Sequence, residues 1–353
     1  MRVLFIVEAG FRYGLGHLMR CRSLLLELER RGIPSDLWVR GERSALDGLK
    51  WPDTMDVRIS GDDVPMDGLE KEFSAHLGRN AYGWIVVDGY VFSGASLYDL
   101  FTARGGGLFM LDDFADRSLK ADVVLNQNTE RADLYAGAPV HAGRFLLGPR
   151  YALISPDYRD VRWEWEEHRE LKRVLISFGG VDRRGRTQKT LAHLDRCDTT
   201  LDVDVVVGPY YPFEEELKKY CGPHRLAVHR RVPSLAPLMA QADLMISATG
   251  VTVLQACCMG VPLIVIQTQD NQRELYRTME SEGIASCARA EASVDLPAAE
   301  EGAAMFAAMF KSAADSATRR ERSLKGRRLV DGAGASRVAD ALVSADLRQE
   351  VRT

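Results

Sequence analysis

The chain has 353 residues, 46% of them hydrophobic and 27% charged, with a formal net charge of -4. Those values exclude a disordered chain and leave room for two globular domains, and the slight acidity argues against nucleic acid or an anionic membrane as the principal partner. Six scattered cysteines with no Cys-x-x-Cys pair, and no apolar run of membrane-spanning length, predict buried thiols and a cytoplasmic protein without membrane insertion.

In chain order, Val3-Leu4-Phe5-Ile6-Val7 reads as a buried strand, and Leu18, Cys21, Leu24, Leu25 and Leu28 then recur at helical spacing. Between them Tyr13-Gly14-Leu15-Gly16-His17 forms a glycine loop entering a helix. Gly14 and Gly16 are expected to take backbone conformations closed to other residues, and the free amides at the helix start favour an anion. A neutral His17 able to accept a proton is expected at that positive end. A loop glycine pair with a capping histidine is the simpler alternative.

Strands around Ser35–Val39, Trp84–Asp88, Leu108–Leu111 and Val123–Leu125, with a helix near Leu97–Ala103, predict a parallel sheet covered on both faces. Asp88-Gly89-Tyr90 ends one of these strands. Tyr90 could orient a sugar or a water there, and Asp88 could accept hydrogen bonds from sugar hydroxyls or hold His17; acids at strand ends also occur for turn reasons alone. Asp112 and Asp113 with Arg117 read as an ion pair bracing a loop. Asn126-Gln127-Asn128 could bind polar ligand groups or satisfy buried backbone.

Residues 1–156 are thus read as an N-terminal Rossmann-like domain and 157–172, around Trp163-Glu164-Trp165, as a linker. A second series at Val174–Phe178, Val203–Val207, Asp243–Ser247 and Leu263–Ile266 makes 173–330 a C-terminal Rossmann-like domain. Residues 331–353 hold a last helix, from about Ser336 to Ala345, packing back toward the N-terminal domain. Two such domains are expected to face each other across a cleft, with ligands beyond the carboxyl ends of the strands. Ser247-Ala248-Thr249-Gly250-Val251-Thr252 opens a helix over Val253–Met259, stopped by Gly260 and Pro262. Its amides and the Thr252 hydroxyl suit a phosphate, and Gln255 a ribose; a short buried helix with no ligand is the alternative. Gly179 and Gly180 could let backbone approach a diphosphate. Asn271 and Gln272 carry amides that both donate and accept, as sugar hydroxyls or an N-acyl group require. No Asp-x-Asp pair stands in a suitable loop, so the site is read as metal-independent and without a cofactor. The other histidines, at 76, 141, 168, 193, 224 and 229, read as surface residues.

Taken together, Gly14-Leu15-Gly16-His17-Leu18-Met19-Arg20-Cys21, Val86-Val87-Asp88-Gly89-Tyr90, Leu111–Arg117, Leu125-Asn126-Gln127-Asn128, Leu147–Leu153, Phe178-Gly179-Gly180-Val181-Asp182 and Asn271-Gln272 resemble, in order, the UDP-sugar hydrolases of pseudaminic acid biosynthesis. These act on UDP-2,4-diacetamido-2,4,6-trideoxy-β-L-altropyranose. They are related to spore-coat polysaccharide proteins and share the GT-B glycosyltransferase fold. The resemblance covers about residues 1–285, plus Asp331-Gly332-Ala333-Gly334. It implies a GT-B fold and a nucleotide-sugar substrate, with His17 as general base for the water that displaces UDP with inversion, and Tyr90 close to the reacting carbon. It further implies Val232 for the base, Gly250, Thr252 and Gln255 for phosphates and ribose, and Gly16, Asp88, Gly180, Asn271 and Gln272 for the remaining substrate.

The chain departs from the family pattern at Val251, at Gln255, where the family has glutamate, and at Gly89, where it has histidine. A metal-independent nucleotide-sugar hydrolase is therefore the leading expectation. An inverting GT-B glycosyltransferase using a sugar or natural-product acceptor is the alternative, and a nucleotide-sugar-binding protein without turnover is a third. Nucleotide release without acceptor, only with acceptor, or not at all separates the three.

Overall fold

The structure is a computed structural model that describes residues 1–91, 95–102, 106–115, 119–136, 140–161, 170–289 and 300–350. Contacts divide the chain into two units, 1–155 with 332–353, and 156–331. Among the described residues no helix is long and apolar enough to cross a membrane.

The first unit runs β1 (Val3–Ala9), α1 (Gly16–Arg30), β2 (Ser35–Gly41), β3 (Val57–Ser60), α2 (Met66–Leu77), β4 (Trp84–Asp88), α3 (Ala95–Thr102), β5 (Gly107–Leu111), β6 (Leu119–Asn126) and β7 (Val140–Leu147). Its seven strands are parallel in the order β3-β2-β1-β4-β5-β6-β7. Every residue of β1, β4 and β5 is buried, the pattern of strands covered on both faces. The stripe Leu18, Cys21, Leu24, Leu25 and Leu28 turns α1 onto this sheet. The helix stops at Arg31, where Gly32 takes a left-handed φ of 72°.

The second unit opens with α4 (Pro156–Asp160) and continues β8 (Arg173–Ser177), α5 (Arg186–Leu194), β9 (Asp202–Val207), α6 (Glu214–Lys218), β10 (Arg225–Arg230), α7 (Ala236–Gln241), β11 (Leu244–Ala248), α8 (Val251–Met259), β12 (Leu263–Gln267), α9 (Arg273–Ser281), β13 (Ala285–Arg289), α10 (Glu300–Ala314) and α11 (Ser316–Leu329). Its order is β10-β9-β8-β11-β12-β13, again all parallel. Each sheet therefore reverses its winding direction at one place, between β1 and β4 in the first and between β8 and β11 in the second. Ligands of doubly wound sheets bind at such switch points.

The segment expected to be a linker begins inside a helix. Residues 157–160 belong to α4, where the Tyr158 hydroxyl accepts a bond from Leu235 N at 3.1 Å within the second unit; 162–169 lie outside the described residues. The last helix, α12 (Gly334–Glu350), does belong to the first unit, where Ala335, Val338, Ala339 and Leu342 enter the core beside α1. Gly334 is needed for that approach, because a Cβ there would meet the Ala152 carbonyl oxygen at 2.2 Å.

Three histidines expected at the surface are buried. His76 bonds through Nε2 to the Tyr82 hydroxyl at 2.8 Å, His193 stacks on Phe306, and His224 accepts from Leu201 N. Burial lowers the pKa of His76 and of His193, as it does for any imidazole moved out of water.

Candidate functional site

The carboxyl ends of β1, β4, β5 and β6 carry one connected polar cluster in the first unit. After β1 the chain closes on itself, with Gly10 N donating to Gly14 O at 3.1 Å and Gly14 N to Gly10 O at 2.7 Å. Gly14 has a φ of 77°, as expected of a glycine-only position, but Gly16 does not have a positive φ. Gly16 is instead the first residue of α1, with open space where a Cβ would stand.

His17 follows in the first turn and is buried. Its Nδ1 lies 2.5 Å from Asp88 Oδ1. Arg20, one turn on, donates to the same carboxylate through Nε (2.6 Å, to Oδ2) and Nη2 (2.7 Å, to Oδ1), and the Cys21 thiol adds a contact at 3.5 Å to Oδ2. Asp88 has no solvent exposure and receives four donors, which leaves no lone pair for a sugar. Its expected place among the substrate ligands is therefore corrected: it holds His17. Burial alone would raise the Asp88 carboxyl, but Arg20 and His17 hold it well below the usual carboxylate range. An ionised Asp88 only accepts, so the Nδ1 facing it carries a proton, and in the neutral imidazole Nε2 is the nitrogen with the lone pair. Arg20 Nη2 also lies 3.3 Å from Nδ1. Both are donors, and they meet at Asp88 Oδ1.

Arg20 also grips Asp113, through Nη1 to Oδ1 (2.7 Å) and Nη2 to Oδ2 (3.0 Å). The cation expected beside Asp113 was Arg117, which lies outside the described residues. Burial opposes ionisation of Asp113 too, and Arg20 lowers its pKa. Asn128 Nδ2 donates to Asp113 Oδ1 at 2.8 Å, and the Tyr90 hydroxyl to Oδ2 at 3.1 Å. Tyr90 thus stands beside His17, ring centroids 4.8 Å apart and nearly perpendicular, with its hydroxyl engaged by Asp113. The amide run 126–128 turns out to satisfy buried groups: Asn126 Oδ1 accepts from Asn128 N, and Gln127 Oε1 from Leu153 N.

Sequence reasoning missed Glu8, which is fully buried at the end of β1. It pairs with Arg40 at 3.0 Å and accepts from Tyr90 N at 2.6 Å. A Cβ on Gly89 would stand 2.7 Å from Glu8 Cγ and Oε2, so Glu8 fills the space beside the strand end where the resembling family carries a histidine. Because Glu8 is held from two sides it cannot swing away. Gly89→Ala is expected to lower stability by roughly 1–3 kcal/mol through this overpacking, read as a lower urea midpoint at unchanged slope; a wild-type midpoint would show that Glu8 yields.

In the second unit, α8 begins at Val251, two residues earlier than expected, with Gly250 as its N-cap. No side chain caps this end, no acid stands in its first turn, and nothing lies within 4 Å of a Cβ built on Gly250. Thr252 is half-buried there and Gln255 buried one turn on. The other helix start at this switch point is already filled: Asp182 accepts from Arg186 N and Thr187 N, both at 2.9 Å, and from the Thr187 hydroxyl at 2.7 Å. Burial pushes the Asp182 carboxyl up despite those bonds. Gly180 is packed against the loop after β9, since a Cβ on Gly208 would meet Gly180 O at 2.1 Å. Val232 is half-buried just beyond β10. Asn271 and Gln272 share one turn after β12, where Gln272 Oε1 accepts from the amide and hydroxyl of Thr268 at 2.8 and 3.0 Å. That leaves Gln272 chiefly its amide hydrogens to offer a ligand.

No family model matches the chain. An uncharacterised protein of Methanocaldococcus jannaschii is 25% identical over 299 residues, covering 78% of this chain and 57% of that protein, so the chain spans little more than half of this relative. The spore coat polysaccharide biosynthesis protein SpsG of Bacillus subtilis is 21% identical over 291 residues, covering 81% of this chain and 83% of SpsG. Among solved structures, MurG of Acinetobacter baumannii superposes with a TM-score of 0.68 at 14% identity, covering 98% of this chain and all of MurG. The spinosyn rhamnosyltransferase SpnG with thymidine diphosphate superposes with a TM-score of 0.62 at 15% identity, covering 97% and 100%. Two parallel Rossmann-like sheets together with these neighbours make the fold GT-B.

Proposed function

We propose that this protein moves a sugar from a nucleoside diphosphate to a hydroxyl acceptor with inversion, using His17 as general base. The observation that supports the reading is the His17–Asp88 pair at a switch point: with a carboxylate on Nδ1, Nε2 is the nitrogen that can accept a proton in the neutral ring. In the step, the acceptor oxygen forms a bond to the anomeric carbon as its proton passes to His17 Nε2. The bond from that carbon to the diphosphate oxygen breaks, and the nucleoside diphosphate leaves with the electron pair. Asp88 stabilises the imidazolium, as the carboxylate does in a Ser-His-Asp triad.

The uncapped start of α8 is the place for the diphosphate, with Gly250 and Thr252 at the phosphates, Gln255 at the ribose and Val232 at the base. Gly16, Gly180, Asn271 and Gln272 remain for the sugar and its substituents, and Tyr90 flanks the base. An acceptor hydroxyl is preferred over water because the solved structures sharing this fold include the rhamnosyltransferase SpnG. Water as the nucleophile is the second reading, favoured by the ordered series of motifs that resembles the UDP-sugar hydrolases.

The two part in one assay. UDP-, dTDP-, GDP- and CMP-sugars are incubated with the protein, alone and with a panel of monosaccharide and aglycone alcohols, and nucleotide release is measured. Release that needs an alcohol supports transfer. Release at the same rate without one sinks transfer and establishes hydrolysis.

A further inference from the structure

Tyr90, Asp113 and Asn128 each stand two residues beyond a strand, after β4, β5 and β6, which are neighbours in the sheet. Strand spacing alone makes this a row of about 10 Å along the carboxyl edge of the first unit. Asp113 joins it, taking the Tyr90 hydroxyl on Oδ2 and the Asn128 amide on Oδ1, and His17 lies against the Tyr90 ring at one end. Asn128 is the other end. Its two neighbours are spent inside the protein: Asn126 accepts from Asn128 N and donates to the Tyr135 hydroxyl, and Gln127 accepts from Leu153 N. The Asn128 side chain makes one bond, from Nδ2 to Asp113.

That bond assigns the amide. Against the opposing effect of burial, Arg20 holds the Asp113 carboxyl below its ordinary value. An ionised carboxylate only accepts, so the amide nitrogen faces it and the oxygen is the free end. Asn128 is 7% exposed, yet its Oδ1 has no partner among the described residues and is not one of the polar atoms sealed from solvent. An acceptor held this deep with one open side calls for a donor from outside the chain. Charge adds a second condition. Asp88 and Asp113 share Arg20, so with His17 neutral the cluster keeps one negative charge uncompensated among the described residues.

We propose that Asn128 sets sugar specificity: its amide oxygen accepts a hydrogen bond from a hydroxyl or amide N–H of the transferred sugar, and the surplus carboxylate charge beside it excludes sugars that carry a carboxylate. The proposal rests on reading the first unit's cluster as the reaction centre. The anomeric carbon has to lie where one nucleophile reaches both it and His17 Nε2, so the ring substituents fall within the span of the row. The sugar is assigned to Asn128, rather than an acceptor, because transfer and hydrolysis both bring a sugar there. Selection works through what is left unpaired. A donor on the sugar satisfies Oδ1, whereas a bare methylene covers it without bonding and leaves a desolvated acceptor. A carboxylate meets the oxygen lone pairs and the surplus charge together.

The test is calorimetric, on the full chain, with UDP and dTDP and with their esters of glucose, of its 2-, 3-, 4- and 6-deoxy analogues and of glucuronic acid. For the better-bound nucleotide, the glucose ester should bind about 3- to 10-fold more tightly than one of the deoxy analogues, the scale of one hydrogen bond, and roughly tenfold more tightly than the glucuronate. Asn128→Ala should weaken the glucose ester by the same factor as the missing hydroxyl does, while that one analogue and the bare nucleotide keep their affinities. The bond from Asn128 N to Asn126 survives the substitution, so the loop is expected to hold. Equal weakening of the glucose ester and every analogue would mean that Asn128 only braces Asp113, and no weakening at all that the sugar does not reach it. Either result overturns the proposal and leaves the site reading standing. Parity of glucuronate with glucose overturns the exclusion of acidic sugars. Binding of neither nucleotide nor any ester overturns the nucleotide-sugar reading and the proposal with it. Should Asn128→Ala fail to fold, Asn128→Ser, whose shorter side chain withdraws the acceptor, carries the same comparison.

Discussion

His17→Ala should lower kcat for nucleotide release by about 10²–10⁴-fold, the usual share of a positioned general base, while binding of UDP or dTDP stays within about twofold. The asymmetry follows from where the ring sits. His17 belongs to the first unit and, through Nδ1, to Asp88 and Arg20, whereas the proposed nucleotide ligands all belong to the second. Its removal takes away a proton acceptor that acts only as the nucleophile attacks, and such an interaction shows in kcat rather than in ground-state affinity. The substitution also uncovers part of Asp88, but Arg20 still donates to both carboxylate oxygens, so the cluster stays paired. Steady-state kinetics on the responsive nucleotide sugar, with calorimetric binding of the nucleotide alongside, gives both numbers. Parallel loss of kcat and affinity would make His17 a structural residue of the loop.

How far this arrangement could be read in advance depended on distance along the chain. The central strands are continuous apolar runs, and both switch-point loops follow such runs, so His17, Asp88, Gly180 and Gly250 could be placed beforehand at strand ends. The edge strands could not. β10 is mostly exposed and β3 half-exposed, and neither shows the continuous run that marks a strand buried on both faces. The pairing inside the cluster was also out of reach. Arg20 and Asp113 are 93 residues apart, and nothing local says which cation a buried acid will find.

Glu8 is a different case, because a signal was present. A carboxylate at the end of Val3-Leu4-Phe5-Ile6-Val7 must be paired if the strand is buried. Arg40 stands opposite it in the β1–β2 register, but the apolar run that marks the second strand ends at Val39, two residues before the strand itself does. The Asp88 assignment turned on the same kind of accounting. Two roles were open from sequence, sugar ligand or support for His17, and only the count of four donors on a side chain without exposure decides between them.

Asp88→Asn should cost more than its size implies, both in rate and in stability. The amide presents a hydrogen-bond donor as well as an acceptor. If its oxygen keeps Arg20, its nitrogen faces His17 Nδ1, and the ring must turn its proton to Nε2, where the nucleophile's proton has to go. A comparable change in a Ser-His-Asp triad costs about 10⁴-fold in kcat by this tautomer switch, and a loss of that order is expected here with nucleotide affinity retained. Stability should fall by about 3–5 kcal/mol, since the buried Arg20 is left with Asp113 as its one negatively charged hydrogen-bond partner. The loss has a pH signature. The folded pKa of Asp88 is depressed, so below the ordinary carboxyl value near 4 the unfolded chain takes up a proton that the folded chain refuses. The wild type is thereby destabilised as pH falls through that range, and the variant, with nothing to titrate at residue 88, escapes this contribution. The difference in urea midpoint between the two proteins should therefore be constant near neutrality and narrow below about pH 4. A difference that holds unchanged into acid would mean that Asp88 is protonated in the native protein, and the tautomer argument for His17 would fall with it.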